Sequence, residues 1–307
     1  MKPAPFDYAA PESVEETLAL LAEYGADAKL LAGGQSLMPL LNMRLARPAV
    51  IIDLNRVAAL DYVKATDGEV RIGALVRQRA AERSPVVAQH LPLVSDALQW
   101  VGHPQIRNRG TIGGSLAHAD PSAELPAVAA ILGASFVVAG SDGERTLASE
   151  DFFQGYLSTA IGATEVLTEV RFPAMAADQG WAFVEVARRH GDFALVGVAA
   201  VVHAADGPRP AGSEAHAGRA RGPLRLRDVR LAFTGVGPTP VRIAEAEAAL
   251  EGRALDDRVL TDVARLVSDR LEPESDIQAS AAYRKHVAGV LARRALTAAA
   301  LRVRGRS

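Results

Sequence analysis

Apolar residues recur at Val14, Leu18 and Leu21, the spacing of one helical face. Ser13 and Glu16 stand in a capping-box pattern and Gly25 at a natural stop. This predicts a helix over 13–24. Lys29–Ala32, Ala49–Leu54 and Glu69–Ala74 read as short strands, the second rich in β-branched residues. From Arg77 to Gln99 polar and apolar residues mix at helical period. Ala134–Gly140 and Glu144–Ala148 flank Ser141, Asp142 and Gly143 as the arms of a hairpin, and Glu165–Phe172 makes a further strand.

The stretch Pro173–Gly180 is small, polar and bounded by Pro and Gly, the composition of a domain boundary. Beyond it, Trp181–Arg189, Leu195–Ala204 and Leu226–Val236 are strand-like, and a Gly/Pro/Ala-rich run over 206–223 reads as a long mobile loop. The remainder is helical in pattern, over 242–252, 256–271 and 280–303. The expected domains are 1–176 and 177–307.

Composition narrows the function. With 307 residues, 49% of them hydrophobic, the chain can bury one large core or two ordinary ones. A net charge of −2 provides no positive field for nucleic acid or an anionic membrane. No apolar run has the length of a signal peptide or a membrane span, which predicts a cytoplasmic protein. The sequence has no cysteine, which excludes disulfides, thiolate zinc sites and cysteine-ligated iron–sulfur clusters within it. Its seven histidines show no metal-ligand spacing, and no hydrolase elbow, zinc-protease helix or P-loop lysine is present.

Two glycine motifs stand out. Ala32-Gly33-Gly34-Gln35-Ser36 follows a strand, and Asp53 lies 20 positions after Gly33, near the offset of a Rossmann ribose-binding acid. The third glycine of that fingerprint is missing and Met38-Pro39 follows, so no close-packed helix start is specified and a nicotinamide site is not supported. Asp53 reads instead as an acid ending a strand before a turn. The paired glycines still let main-chain N–H groups converge on an anion, with Gln35 and Ser36 as neighbouring donors. Thr111-Ile112-Gly113-Gly114-Ser115 repeats the design, so two segments can close on one diphosphate.

These motifs, the second within "RNRGTIGGSLAHADPSAELP", resemble the paired FAD-binding motifs of the medium, flavoprotein subunit of molybdenum hydroxylases of the carbon monoxide dehydrogenase and xanthine dehydrogenase type. "FDYAAPESVEETLALL", "RRHGDFALVGVAAVV" and "YRKHVAGVLARRAL" resemble the start, middle signature and closing helix of that family. The resemblance implies an α+β protein. Its FAD-binding domain would be of the PCMH type shared with vanillyl-alcohol oxidases, made of two α/β subdomains. A C-terminal domain with a three-stranded antiparallel sheet and helices would follow.

It also implies that Ala32–Ser36, with Leu37, and Thr111–Ser115 cradle the pyrophosphate of a non-covalent FAD. Glu124, with Asp120 shortly before it, would meet ribityl or ribose hydroxyls, since a carboxylate accepts from hydroxyls but repels a diphosphate. Glu124 alternatively reads as a first-turn helix acid. Phe193 stands where relatives carry an aromatic near the isoalloxazine, or else packs in a strand; without a hydroxyl it can donate no hydrogen bond. His118 lies beside the cofactor or is simply a hydrogen-bonded loop residue, and Arg107 and Arg109 neutralise phosphate, dock a partner or are solvated. No conventional catalytic residue and no metal ligand is expected, because the flavin carries the chemistry.

The family's [2Fe–2S] clusters lie on a small subunit and its molybdopterin cofactor on a large one. The resemblance therefore implies an electron-transfer subunit of a heterotrimeric molybdenum hydroxylase, passing electrons to an external acceptor. A structural adaptor of the same fold without flavin, and a stand-alone flavin oxidoreductase, are the alternative expectations.

Overall fold

The computed structural model describes residues 2–205 and 224–306, so the run over 206–223 read as a mobile loop lies outside the described residues. The chain forms two compact units: Met1–Asp120 with Leu132–Ala174, and Pro121–Ile131 with Met175–Ser307.

The first unit holds two main sheets. Strands β1 (Asp7–Ala9), β2 (Ala28–Leu31) and β3 (Val50–Asp53) make a parallel sheet in the order β1-β3-β2, with Leu31 opposite Asp53. Helix α1 (Val14–Tyr24) is started by Ser13, whose hydroxyl accepts from the Glu16 N–H at 3.1 Å, and ended at Gly25, φ 52°. Leu21 of α1 joins Val50, Ile52 and Leu54 in one apolar cluster, which makes the helix and the parallel strands one layered body.

The second sheet is antiparallel, in the order β4-β5-β10-β6-β7. Its strands are β4 (Val63–Thr66), β5 (Glu69–Gly73), β6 (Ser135–Gly140), β7 (Gly143–Ala148) and β10 (Val166–Pro173), after the short pair β8 (Phe153–Gly155) and β9 (Ser158–Thr159). The expected hairpin is β6–β7, closed at Gly140 opposite Gly143. Phe136 stacks on Phe152 with ring centroids 3.7 Å apart, and both are fully buried.

The helical pattern over 77–99 resolves into α3 (Gln78–Arg83), α4 (Pro85–His90) and α5 (Pro92–Leu98), after the short α2 (Leu37–Asn42). Pro85 and Pro92 cannot donate an N–H and disfavour a helical conformation at the preceding residue, so each starts a new helix.

In the second unit, β11 (Gln179–Val186), β12 (Val196–Ala204) and β13 (Leu226–Thr234) form three long antiparallel strands, with the two-residue β14 (Val241–Arg242) at the edge of β13. After α6 (Pro104–Arg109) and α7 (Ile112–His118) of the first unit, α8 (Glu124–Leu132) is carried largely by the second. With α9 (Ser149–Phe152) in between, α10 (Ala244–Ala248), α11 (Asp257–Arg270) and α12 (Ala281–Arg306) complete the chain. Ala288, Ala292, Ala295 and Ala299 of α12 are buried in the cluster that includes Val198, Ala200 and Val202 of β12. Small side chains there let the helix lie close to the sheet. No helix among the described residues is long and apolar enough to cross a membrane.

Phe136→Ala removes one ring of a buried stack and is expected to cost about 3–5 kcal/mol. Urea unfolding of the full chain, followed by circular dichroism, should show the loss as a lower midpoint.

Candidate functional site

The first glycine motif leaves β2 at Leu31 and turns through Gly34, φ 73°, into α2, where the Met38 N–H donates to Gly34 O at 3.1 Å. The turn runs directly into a helix, which the sequence reading did not specify. Among the described residues, no hydrogen bond engages the N–H groups of Gly34, Gln35 or Ser36. The Gln35 carboxamide donates to Gly33 O at 3.0 Å, so it stiffens its own turn, while Ser36 makes no capping bond and Leu37 opens the helix.

The second motif is no open loop. Thr111 caps α7: its hydroxyl accepts from the Gly114 N–H at 2.9 Å, and Ile112 and Gly113 donate to Val76 O and Ala74 O, each at 2.9 Å. The Ser115 N–H donates to Thr111 O at 3.1 Å. These amides are engaged within the protein, so the second motif offers an anion its hydroxyls rather than a nest; among the described residues no hydrogen bond engages Ser115 Oγ. Tandem glycines disfavour a helix. Here tertiary contact overrides that preference, because a Cβ on Gly113 would stand 2.5 Å from Ala74 Cβ and 2.7 Å from Ala74 Cα.

The two motifs, far apart in sequence, come together. A Cβ at Gly33 would lie 2.7 Å from Gly110 Cα, and one at Gly114 would meet Ala32 Cβ at 3.5 Å. Below this junction, Asp53 accepts from the Asn55 N–H at 3.0 Å and from the Tyr8 hydroxyl at 2.7 Å. It is thus a turn-forming acid, as its position suggests. His118 closes the last turn of α7, Ala119 takes a left-handed conformation with φ 51°, and Asp120 is the last residue before the chain passes to the second unit.

Arg107 is not solvated, and the anion it neutralises is a carboxylate of the chain itself. It is 6% exposed and held by Glu82 at 3.0 Å, Val101 O at 2.9 Å and Gly102 O at 3.2 Å. Arg109, by contrast, is exposed.

In the second unit, Thr234 Oγ1 bonds Pro121 O at 2.6 Å and Ala123 O at 2.8 Å, and the Gly235 N–H donates to Pro121 O at 2.8 Å. That clasp fixes where α8 begins, with Glu124 as its buried first residue. Glu185 of β11 is a second acid there that the sequence reading did not select. Its one signal is a charge inside an apolar strand. Burial pushes its carboxyl up to about 8, with the Glu124 charge adding to the effect, and Glu185 Oε2 is buried without a hydrogen-bond partner among the described residues. Phe193 is 57% exposed, which rules out core packing and leaves an aromatic face available. No group of three metal-ligating side chains occurs among the described residues.

Comparison with known proteins matches this arrangement to two families. Residues 4–175 match the FAD binding domain in molybdopterin dehydrogenase, and 181–299 the CO dehydrogenase flavoprotein C-terminal domain. The chain is 39% identical to caffeine dehydrogenase subunit beta of Pseudomonas sp. (strain CBB1), over 99% of this chain and 97% of that one. It is 37% identical to the carbon monoxide dehydrogenase medium chain of Hydrogenophaga pseudoflava, over 97% and 98% respectively. Quinoline 2-oxidoreductase from Pseudomonas putida 86 superimposes with a TM-score of 0.89 at 36% identity, covering 98% of this chain and 99% of that one.

Two outcomes follow from the geometry. Gly113→Ala forces α7 away from Ala74 and is expected to destabilise by about 1–3 kcal/mol, read as a lower thermal midpoint. Glu185 binds a proton more tightly folded than unfolded, so its contribution is complete below pH 4.5 and is lost as pH rises through about 8. Glu185→Gln should therefore flatten the decline in melting temperature across that window; an unchanged slope would show that Glu185 is not its source.

Proposed function

Because the chain belongs to the FAD-binding flavoproteins of the molybdopterin dehydrogenases, we propose that it relays electrons from iron–sulfur clusters on a partner subunit to an external acceptor. It is an oxidoreductase subunit and its cofactor is FAD. The observation that carries the proposal is the junction of the two glycine motifs, with the Gly34–Ser36 amides unengaged at its surface. Three unengaged N–H groups in succession and a neighbouring hydroxyl suit a doubly charged diphosphate.

We assign Ala32, Gly33, Gly34, Gln35, Ser36 and Leu37 to the diphosphate, together with the hydroxyls of Thr111 and Ser115, which the packed backbone of Ile112, Gly113 and Gly114 holds in place. His118 and Asp120 border that cradle. Glu124 serves hydroxyls of the cofactor, where an acceptor-only carboxylate is suited. Phe193 offers an aromatic face to the flavin ring and, without a hydroxyl, no proton. The division at 1–176 and 177–307 then separates a cofactor-binding domain from a second domain carrying Phe193.

When bound, FAD supplies a redox centre that takes electrons singly and releases them singly or in pairs. The residues of this chain bind it, orient it and exclude water. They include no cysteine, so cysteine-ligated clusters belong to a small [2Fe–2S] subunit and substrate oxidation to a large molybdopterin subunit. The names of the relatives support that division: caffeine and quinoline are nitrogen heteroaromatics and carbon monoxide is a diatomic gas, yet the corresponding chains align over nearly their whole length. Substrate choice then lies outside this chain, which acts in the cytoplasm as part of a heterotrimer.

Coexpression with the cysteine-rich and molybdopterin-binding subunits tests the proposal. The three are expected to copurify, and substrate of the large subunit is expected to bleach the flavin only when both partners are present. A colourless chain that FAD does not stabilise would point to a structural adaptor, and turnover of a small substrate by the chain alone to a free-standing oxidoreductase.

A further inference from the structure

Van der Waals contact between the glycine motifs sets how near they can come but does not stop them from separating. A polar chain does. The Asn55 carboxamide donates to Ala32 O at 3.0 Å, Arg77 Nη2 donates to Asn55 Oδ1 at 2.5 Å, and Arg77 Nη1 donates to Arg109 O at 2.5 Å. Three consecutive hydrogen bonds therefore run from the backbone of the first motif to the backbone just ahead of the second.

Each member is held from behind. Asn55 is oriented by the Asp53 carboxylate, which accepts from both its main-chain N–H and its carboxamide. Arg77 sits opposite Thr111 in an isolated antiparallel bridge, and the neighbouring Gln78 N–H donates to Gly110 O at 2.8 Å. Its main chain thus pairs with the second motif while its side chain grips Asn55, which holds the first. Only a planar guanidinium has donors at fixed angles for two acceptors at once; an ammonium on a flexible stem is a single point.

The geometry points to Arg77 and Asn55 as positioning residues: a brace that fixes the spacing of the two glycine motifs and so sets the affinity of this chain for the FAD diphosphate. The inference rests on the FAD reading above and deepens it. The residues act through the backbone of Ala32 and Arg109. Loss of either link should release the same constraint, so their effects on affinity should not multiply.

The test is titration of the full-length apoprotein with FAD and, separately, ADP, which carries the diphosphate without the flavin. Arg77→Met and Asn55→Ala each remove two of the three links and are each expected to weaken both ligands by about tenfold or more, at least the size of one lost charge-assisted hydrogen bond. The double variant should be no weaker than the worse single one by more than about threefold. Arg77→Lys, which keeps the charge but not the fork, should lose as much as Arg77→Met, and it carries the comparison if the methionine variant does not fold.

Wild-type affinity in any of these variants, full multiplication of the two losses, or a loss for FAD with none for ADP would overturn the brace. Tight wild-type binding with indifferent variants would sink the brace alone. A wild-type chain that binds no FAD would sink the functional reading, and the brace with it.

Discussion

The first unit is organised around a backbone approach too close for any side chain. Gly33 lies against Arg109 and Gly110, and Gly113 against Ala74, at separations where even a methyl group would overlap main-chain atoms. Such contacts hold only if the segments leading into them are fixed. Parallel pairing of β2 with β3 fixes the exit of Leu31, and the hydrogen bonds from Ile112, Gly113 and Gln78 tie the turn after β5 to the second motif. The sheets thereby serve as the rigid support that a preorganised anion site needs.

The same contacts divide the labour between two motifs of similar sequence. Thr111 turns the second into a capped helix whose first amides are engaged, whereas the first remains a turn with its amides free among the described residues. An anion held between them would therefore meet main-chain N–H groups on one side and hydroxyls on the other.

In the second unit, buried polar groups set the geometry that apolar packing alone would leave loose. Arg284 is 6% exposed, and its guanidinium donates to Leu195 O, Gly235 O and the Asp276 carboxylate. It joins the segment before β12, the end of β13 and the loop before α12. Leu195 ends the connection that carries the exposed Phe193, and Gly235 belongs to the clasp that positions Glu124. The main chain next to Phe193 and the clasp ahead of Glu124 are thus tied to one buried guanidinium, whose hydrogen bonds are costly to leave unmade.

Local pattern was enough for much of this protein. The periodicity of Val14, Leu18 and Leu21, the β-branched run ending at Asp53, the β6–β7 hairpin and the three long strands of the second unit were legible because each depends on neighbours in sequence. The paired glycines and their resemblance to a flavoprotein family were legible for the same reason. What the sequence left open depends on contacts between distant residues. Tandem glycines read as a loop, yet the nearness of Ala74 makes them a helix start; Arg107 reads as a phosphate-neutralising, partner-docking or solvated residue, yet Glu82 and two carbonyls enclose it. Arg77, Asn55 and Glu185 carry no motif, and only the fold places two of them between the glycine turns and strips the third of water. Periodicity and propensity act within a few residues along the chain, whereas desolvation and hydrogen-bond partnership are set by what folding brings alongside.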